Sequence, residues 1–139
     1  MIRTLSLSLA LLLTTAVSSS GWEDIAHYVS LPIIDGAGLY SSIYSLQKSD
    51  QAYTKASAIG VISTIAGTSV AGSLALFGPK KNRPVFRKIH RIAGFVTTAA
   101  ALSLSIAASI DENINGHAAQ YASYGYTGLT CVPLILFRF

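Results

Sequence analysis

The stretch PKKNRPVFRKIHRIAG, residues 79–94, decides how this chain is read. Lys80, Lys81, Arg83, Arg87, Lys88 and Arg91 place six of the ten basic residues within a dozen positions, and an apolar run of membrane-spanning length lies on each side. A basic turn between two such runs is the pattern of a helical hairpin in a bilayer, and every other segment is placed relative to it.

At 139 residues the chain has room for one domain. Hydrophobic residues make up 51%, charged residues only 12%, and the mean hydropathy is +0.50, too apolar for an ordinary soluble fold. The expected class is all-α: a small polytopic membrane helix bundle of three to four transmembrane helices after an N-terminal signal peptide. The net charge of +4 does not point to nucleic acid, because the basic residues sit beside apolar spans and form no extended cationic face. Lipid headgroups and membrane orientation account for it better. The single cysteine, Cys131, lies in an apolar stretch; with no second cysteine there is no internal disulfide and no CxxC redox or zinc pair.

Working outward, residues 53–77 form the clearest span. Their roughly 37 Å of helix exceeds a hydrocarbon core of about 30 Å. Ala56, Gly60, Thr64, Thr68 and Gly72 recur every fourth residue, as do Ser63, Gly67 and Ala71, and small residues at that spacing let helices approach closely in lipid. Residues 89–110 form a second span with the stripe Ala93, Thr97, Ala101, Ser105 and Ser109, expected to face the helix before it. Its end, Asp111 and Glu112, reads as a solvated helix terminus. The polar turn DENING then leads through Gly116 to His117 and a third span, residues 117–137, with Tyr121, Tyr124 and Tyr126 near its start where aromatic belts sit, and Pro133 positioned to bend it.

Toward the N-terminus, residues 1–20 combine Arg3, an apolar core over residues 5–17 and three serines, the pattern of a secretory signal cleaved near residues 18–21; an uncleaved anchor is the alternative. Residues 21–139 then make a single membrane domain. Glu23 and Asp24 suit the first turn of a helix that contains His27. The segment at about residues 25–47 is apolar but compromised by Pro32, Asp35, Gly36 and Gly38, and reads as a kinked span, a re-entrant segment or an interfacial helix. If it does not span, Arg3, the six turn residues and Arg138 all face the cytoplasm, the arrangement the positive-inside rule prefers; if it does, only Arg3, Lys48 and Lys55 do.

The histidines pull the other way. His27, His90 and His117 stand at the starts of three apolar segments, and one start reads His90-Arg91-Ile92-Ala93-Gly94. Over roughly residues 24–137 this resembles the four-helix core of the cytochrome b-561 family, whose helices tend to begin with a haem-ligating histidine and whose third core helix often has glycine four residues after it. The resemblance implies an electron-transfer component holding one b-type haem between His27 and His90, with Gly94 clearing the porphyrin edge. The family's second haem would pair His117 with a histidine near the start of residues 53–77. This chain has none there, so the resemblance implies one haem at most and puts transmembrane transfer through two haems in doubt.

No GxSxG, P-loop, HExxH or GxGxxG occurs, and no activity of its own is expected. Two further readings stand beside the electron carrier. One is a non-catalytic structural or accessory subunit, a homo-oligomer or part of a larger membrane complex; the other is a transport role for Asp35, since an intramembrane carboxylate is a functional candidate. The expected setting is the lipid bilayer of a bacterial inner membrane, because the leader lacks the features of an organelle signal.

Overall fold

The computed structural model describes the backbone of residues 22–136 and the side chains of residues 30–132. The expected leader at residues 1–20, the side chains of Glu23, Asp24, His27 and Pro133, and Arg138 lie outside the described residues. Four helices follow in order: α1 Trp22–Lys48, α2 Ala52–Phe77, α3 Arg83–Ile110 and α4 Ala118–Leu136, with a short 3-10 turn Lys80–Asn82 before α3. No strand occurs among the described residues.

The segment whose form was open in the sequence is helical throughout. Pro32, Gly36 and Gly38 all lie inside α1, which runs 27 residues, or about 40 Å. Contacts divide the chain between residues 33 and 34, and the bundle described below is that of residues 34–139. Helix α3 begins earlier than expected, at Arg83 and not at Ile89, because Pro84 falls in the first turn, where a missing N–H leaves no helical bond unmade. Arg87, Lys88 and Arg91 are therefore helical, and His90 lies two turns inside α3.

All four helices meet in one core. Ile34 of α1, Ala58, Val61 and Ile65 of α2, Ala101 and Leu104 of α3 and Tyr126 of α4 pack together. A smaller cluster of Ala108, Ile114 and Ala119, with Tyr44 against it, closes the end where α3 turns into α4. The α3 stripe is inward as expected, with Thr97, Ala101 and Ser105 buried. It serves two neighbours, however, and not only the preceding helix. Thr97 bonds Thr68 of α2 at 2.8 Å, while Ser105 bonds Thr127 and Ser109 bonds Tyr124 of α4 at 2.8 and 2.7 Å. On the second α2 ridge Ser63 and Gly67 are exposed and only Ala71 is buried.

Hydroxyl side chains are buried beside the apolar core, and large apolar side chains are exposed on the outside. Ser41, Ser42, Ser45, Thr54, Thr97, Ser105 and Ser123 are buried, while Phe77 is 65%, Ile110 63% and Val70 60% exposed. Inside, small residues and hydroxyls join the helices; outside, large apolar side chains cover them. Residues 52–77 and 80–110 are each long and apolar enough to cross a membrane.

Candidate functional site

Three places in residues 34–139 bring chemistry-bearing side chains together. The first is the notch that holds His90. Its ring lies over Gly72 of α2, where a Cβ would stand 3.0 Å from Cε1, so the ring occupies space that only glycine leaves. Nδ1 is 3.0 Å from the Thr68 carbonyl oxygen. A carbonyl only accepts, so in this contact Nδ1 is the donor. Beside the notch an open apolar groove of about 380 Å³ runs between α2 and α3 past Ser63, Gly67, Ile89 and Val96.

The structure does not bring the expected ligand set together within the described side chains. His27 is on α1 and its side chain is not among them; Gly94 is half-buried one turn beyond His90. His117 is exposed just before α4, its ring tilted against Tyr44 at 5.9 Å between centroids. Among the described residues no group of three or more His, Cys, Asp or Glu could hold a metal ion. His90 is half-buried, and the side of its ring that faces α2 is closed by packing on Gly72.

The second place is Asp111, expected to be a solvated terminus and in fact fully buried. Helix α3 stops there, freeing the side chain from the helical lattice and letting three segments converge on it. Ser49, from the link between α1 and α2, donates to Oδ2, and Thr54 in the first turn of α2 donates to the same oxygen at 2.7 Å. The Asn113 N–H donates to Oδ1 at 3.0 Å, closing an Asx turn. Asp111 also uses its backbone carbonyl, which accepts from the N–H groups of Ile114 and Asn115. Burial pushes the carboxyl pKa up, but the hydrogen bonds from Ser49, Thr54 and Asn113 outweigh it and hold the group below the ordinary carboxylate value.

The third place is on the inner face of α1. Asp35 is half-buried, and Gly38, Ser42, Ser45 and Ser49 are buried at alternating spacings of three and four, one stripe of a helix. Tyr126, expected in an aromatic belt, lies instead in the core with no exposed surface, whereas Tyr121 and Tyr124 are exposed. The hydroxyl end of its ring rests on Gly38: a Cβ there would be 2.8 Å from Cζ and both Cε atoms within 2.9 Å. The hydroxyls of Tyr126, Ser42 and Ser45 are buried and have no hydrogen-bond partner.

Sequence reasoning singled out Asp35 but missed Asp111, Tyr126, Ser42 and Ser45. A signal was present: serines at 42, 45 and 49 continue the Asp35–Gly38 spacing. No protein-family model matches the chain. No curated protein and no solved structure is similar to it either, so what this bundle does rests on its own geometry.

Proposed function

We propose that this chain is a polytopic integral membrane protein whose four helices form one bundle, without catalytic activity of its own, serving as a structural or accessory subunit. One observation carries the reading: hydroxyl side chains join the helices beside the apolar core, while the outer surface carries many large apolar side chains. Lipid removes the hydrophobic drive between helices, so packing and interhelical hydroxyl bonds must hold them, and apolar side chains belong outside. The bonds Ser57–Ser103, Thr68–Thr97 and Ser105–Thr127 serve that purpose between α2, α3 and α4. The six basic residues about the α2–α3 turn lie at the opposite end of α3 from Asp111, and the positive-inside rule prefers them in the cytoplasm, with α1 packed on the bundle without spanning. A bacterial inner membrane is the setting this supports, and a second copy or larger complex is the natural partner. The test is extraction of membranes with alkaline carbonate: the protein stays in the pellet, and release into the supernatant would overturn the reading.

A second reading is favoured by the anchoring of His90. The Thr68 carbonyl orients the ring through Nδ1, and His90 would be one ligand of a b-type haem with His27 as the other. Such a haem would supply one-electron chemistry, and Gly94 would clear its edge. A reduced-minus-oxidised visible spectrum of the purified protein, with haem quantified, tests it. A b-type band lost in His90→Ala supports the carrier; a blank spectrum after expression with ample haem removes it.

A further inference from the structure

We propose that Asp35 is a proton-binding carboxyl, connected to the Asp111 end of the bundle by a file of buried hydroxyls and internal water along α1. The inference rests on the membrane-bundle reading and adds an activity to it.

The file follows from helix spacing. Positions 35, 38, 42, 45 and 49 share one face of α1 and cover about 21 Å of helix axis. Gly38 stands between Asp35 and Ser42 on that face, one turn from each. The Tyr126 ring rests with Cζ and both Cε atoms on Gly38, which puts that end of the ring against the same face, between the positions of Asp35 and Ser42. Ser42 and Ser45 continue the line, and Ser49 ends it on the Asp111 carboxylate.

Three consecutive members of this line, Tyr126, Ser42 and Ser45, are fully buried with unpartnered hydroxyls. Leaving one buried hydroxyl unpaired costs about 1–3 kcal/mol, and helical serines ordinarily avoid it by bonding a carbonyl one turn back. Other serines and threonines in this bundle do so: Ser109 bonds Ser105, and Thr97 bonds Ala93. Adjacent buried polar groups without protein partners are the places where internal water completes the bonding.

The surroundings suit a proton. The core packed against this part of α1 is Ala58, Val61 and Ile65 of α2, Ala101 and Leu104 of α3, and Tyr126 of α4. Among these described core residues there is no cation, and Tyr126 is the titratable one. At the far end Asp111 is met by Ser49, Thr54 and the Asn113 N–H, with Asp50 and Glu112 exposed in the adjoining links. A carboxylate among apolar neighbours is stabilised by taking up a proton. In that step a hydronium at the Asp111 end gives up one proton and becomes water. Each water or hydroxyl along the file accepts a proton on an oxygen lone pair and passes its own forward, and the last transfer forms the O–H bond on Asp35. Release reverses the sequence, with no electrons exchanged.

The experiment uses the full chain in phosphatidylcholine–phosphatidylglycerol vesicles, first shown to resist carbonate extraction. Infrared spectra recorded across pH should show a carboxyl band that titrates and is missing in Asp35→Asn. On transfer to D2O that band should shift about tenfold more slowly in Ser42→Ala/Ser45→Ala, equivalent to one lost relay bond of about 1.4 kcal/mol. Tyr126→Phe should slow it as well. A band unaffected by Asp35→Asn, or exchange at the wild-type rate in the double serine variant, would overturn the proposal. Protein released by carbonate would instead remove the membrane reading beneath it.

Discussion

Asp111 and the face around Tyr126 are both polar regions buried in one bundle, and both draw on serines of α1, yet their bonding is opposite. Around Asp111 both carboxylate oxygens accept protein donors, and those donors come from three different segments. Around Tyr126, three hydroxyls of equal burial bond to nothing in the protein. The difference follows from where each sits. At Asp111 the helices end, so Ser49, Thr54 and the Asn113 backbone are free to turn toward one group. Along the middle of α1 the helices continue, side chains leave at fixed angles, and the neighbours on α2 and α3 are apolar. A polar group that closes on its own protein locks the links between helices; one that does not requires something else to complete it.

The largest effect should come from the closed region. Asp111→Ala removes the acceptor of two buried hydroxyls and a backbone N–H, and should lower stability by about 2–4 kcal/mol, given about 1.5–3 kcal/mol for each hydrogen bond to a charged group and partial rescue by water. Thermal or SDS-induced unfolding in detergent micelles measures it. The pH dependence has a definite sign. The folded-state pKa of Asp111 is below its ordinary value, so the folded state favours the ionised form. Its stabilisation is complete above the unfolded pKa of about 3.9 and is lost as pH falls through the folded pKa. An Asp111→Asn protein should show no such loss at acid pH. Equal acid sensitivity in both would show that the lock does not depend on charge.

The next effect tests how tightly Tyr126 is seated, and two glycines two residues apart on α1, on opposite faces, provide the contrast. Gly38→Ala would drive a methyl group into a ring that has no exposed surface, and overpacking of this kind costs about 1–3 kcal/mol. Gly36 is exposed and nothing lies within 4 Å of its Cβ position. Gly36→Ala should therefore stabilise by up to about 1 kcal/mol, the helix-propensity gain alone. The same pair of unfolding curves reads both. If the two substitutions acted alike, the Tyr126 ring would have room to move away and the gap between Asp35 and Ser42 would not be fixed.

Much of the helix layout is legible in the sequence. Residues 53–77 lie within the observed α2, and 89–110 fall inside α3, because long uninterrupted apolar runs with small residues at every fourth position leave few other structures. The α3 start is misread because the charges of Arg87 and Lys88 suggest a loop, whereas Pro84 in the first helical turn sets the boundary. The segment at 25–47 stays open in the sequence because Pro32, Gly36 and Gly38 are poor helix formers. Its place in the bundle depends on Tyr126 packing over Gly38, a contact 88 residues away along the chain. Asp111 is misread for a similar reason: adjacent acids at a helix end suggest solvent, and the donors that bury this one sit about sixty residues earlier.

The smallest effect is the most discriminating, because its sign matters more than its size. Ser42→Ala and Ser45→Ala each remove a buried hydroxyl that no protein group bonds. If the face around Tyr126 is dry, each substitution deletes an unsatisfied polar atom and should stabilise the bundle by about 1–3 kcal/mol. If internal water bonds these oxygens, each deletion breaks a bond as good as any other neutral one and should destabilise by about 0.5–1.5 kcal/mol. We expect the small loss. Unfolding of the two single variants and the double variant in the same micelles decides it, since neighbouring hydroxyls that share one water should lose less together than the two losses added. A gain would mean that the face around Tyr126 is dry and its hydroxyls unsatisfied, and the water-bridged file along α1 would fall with it.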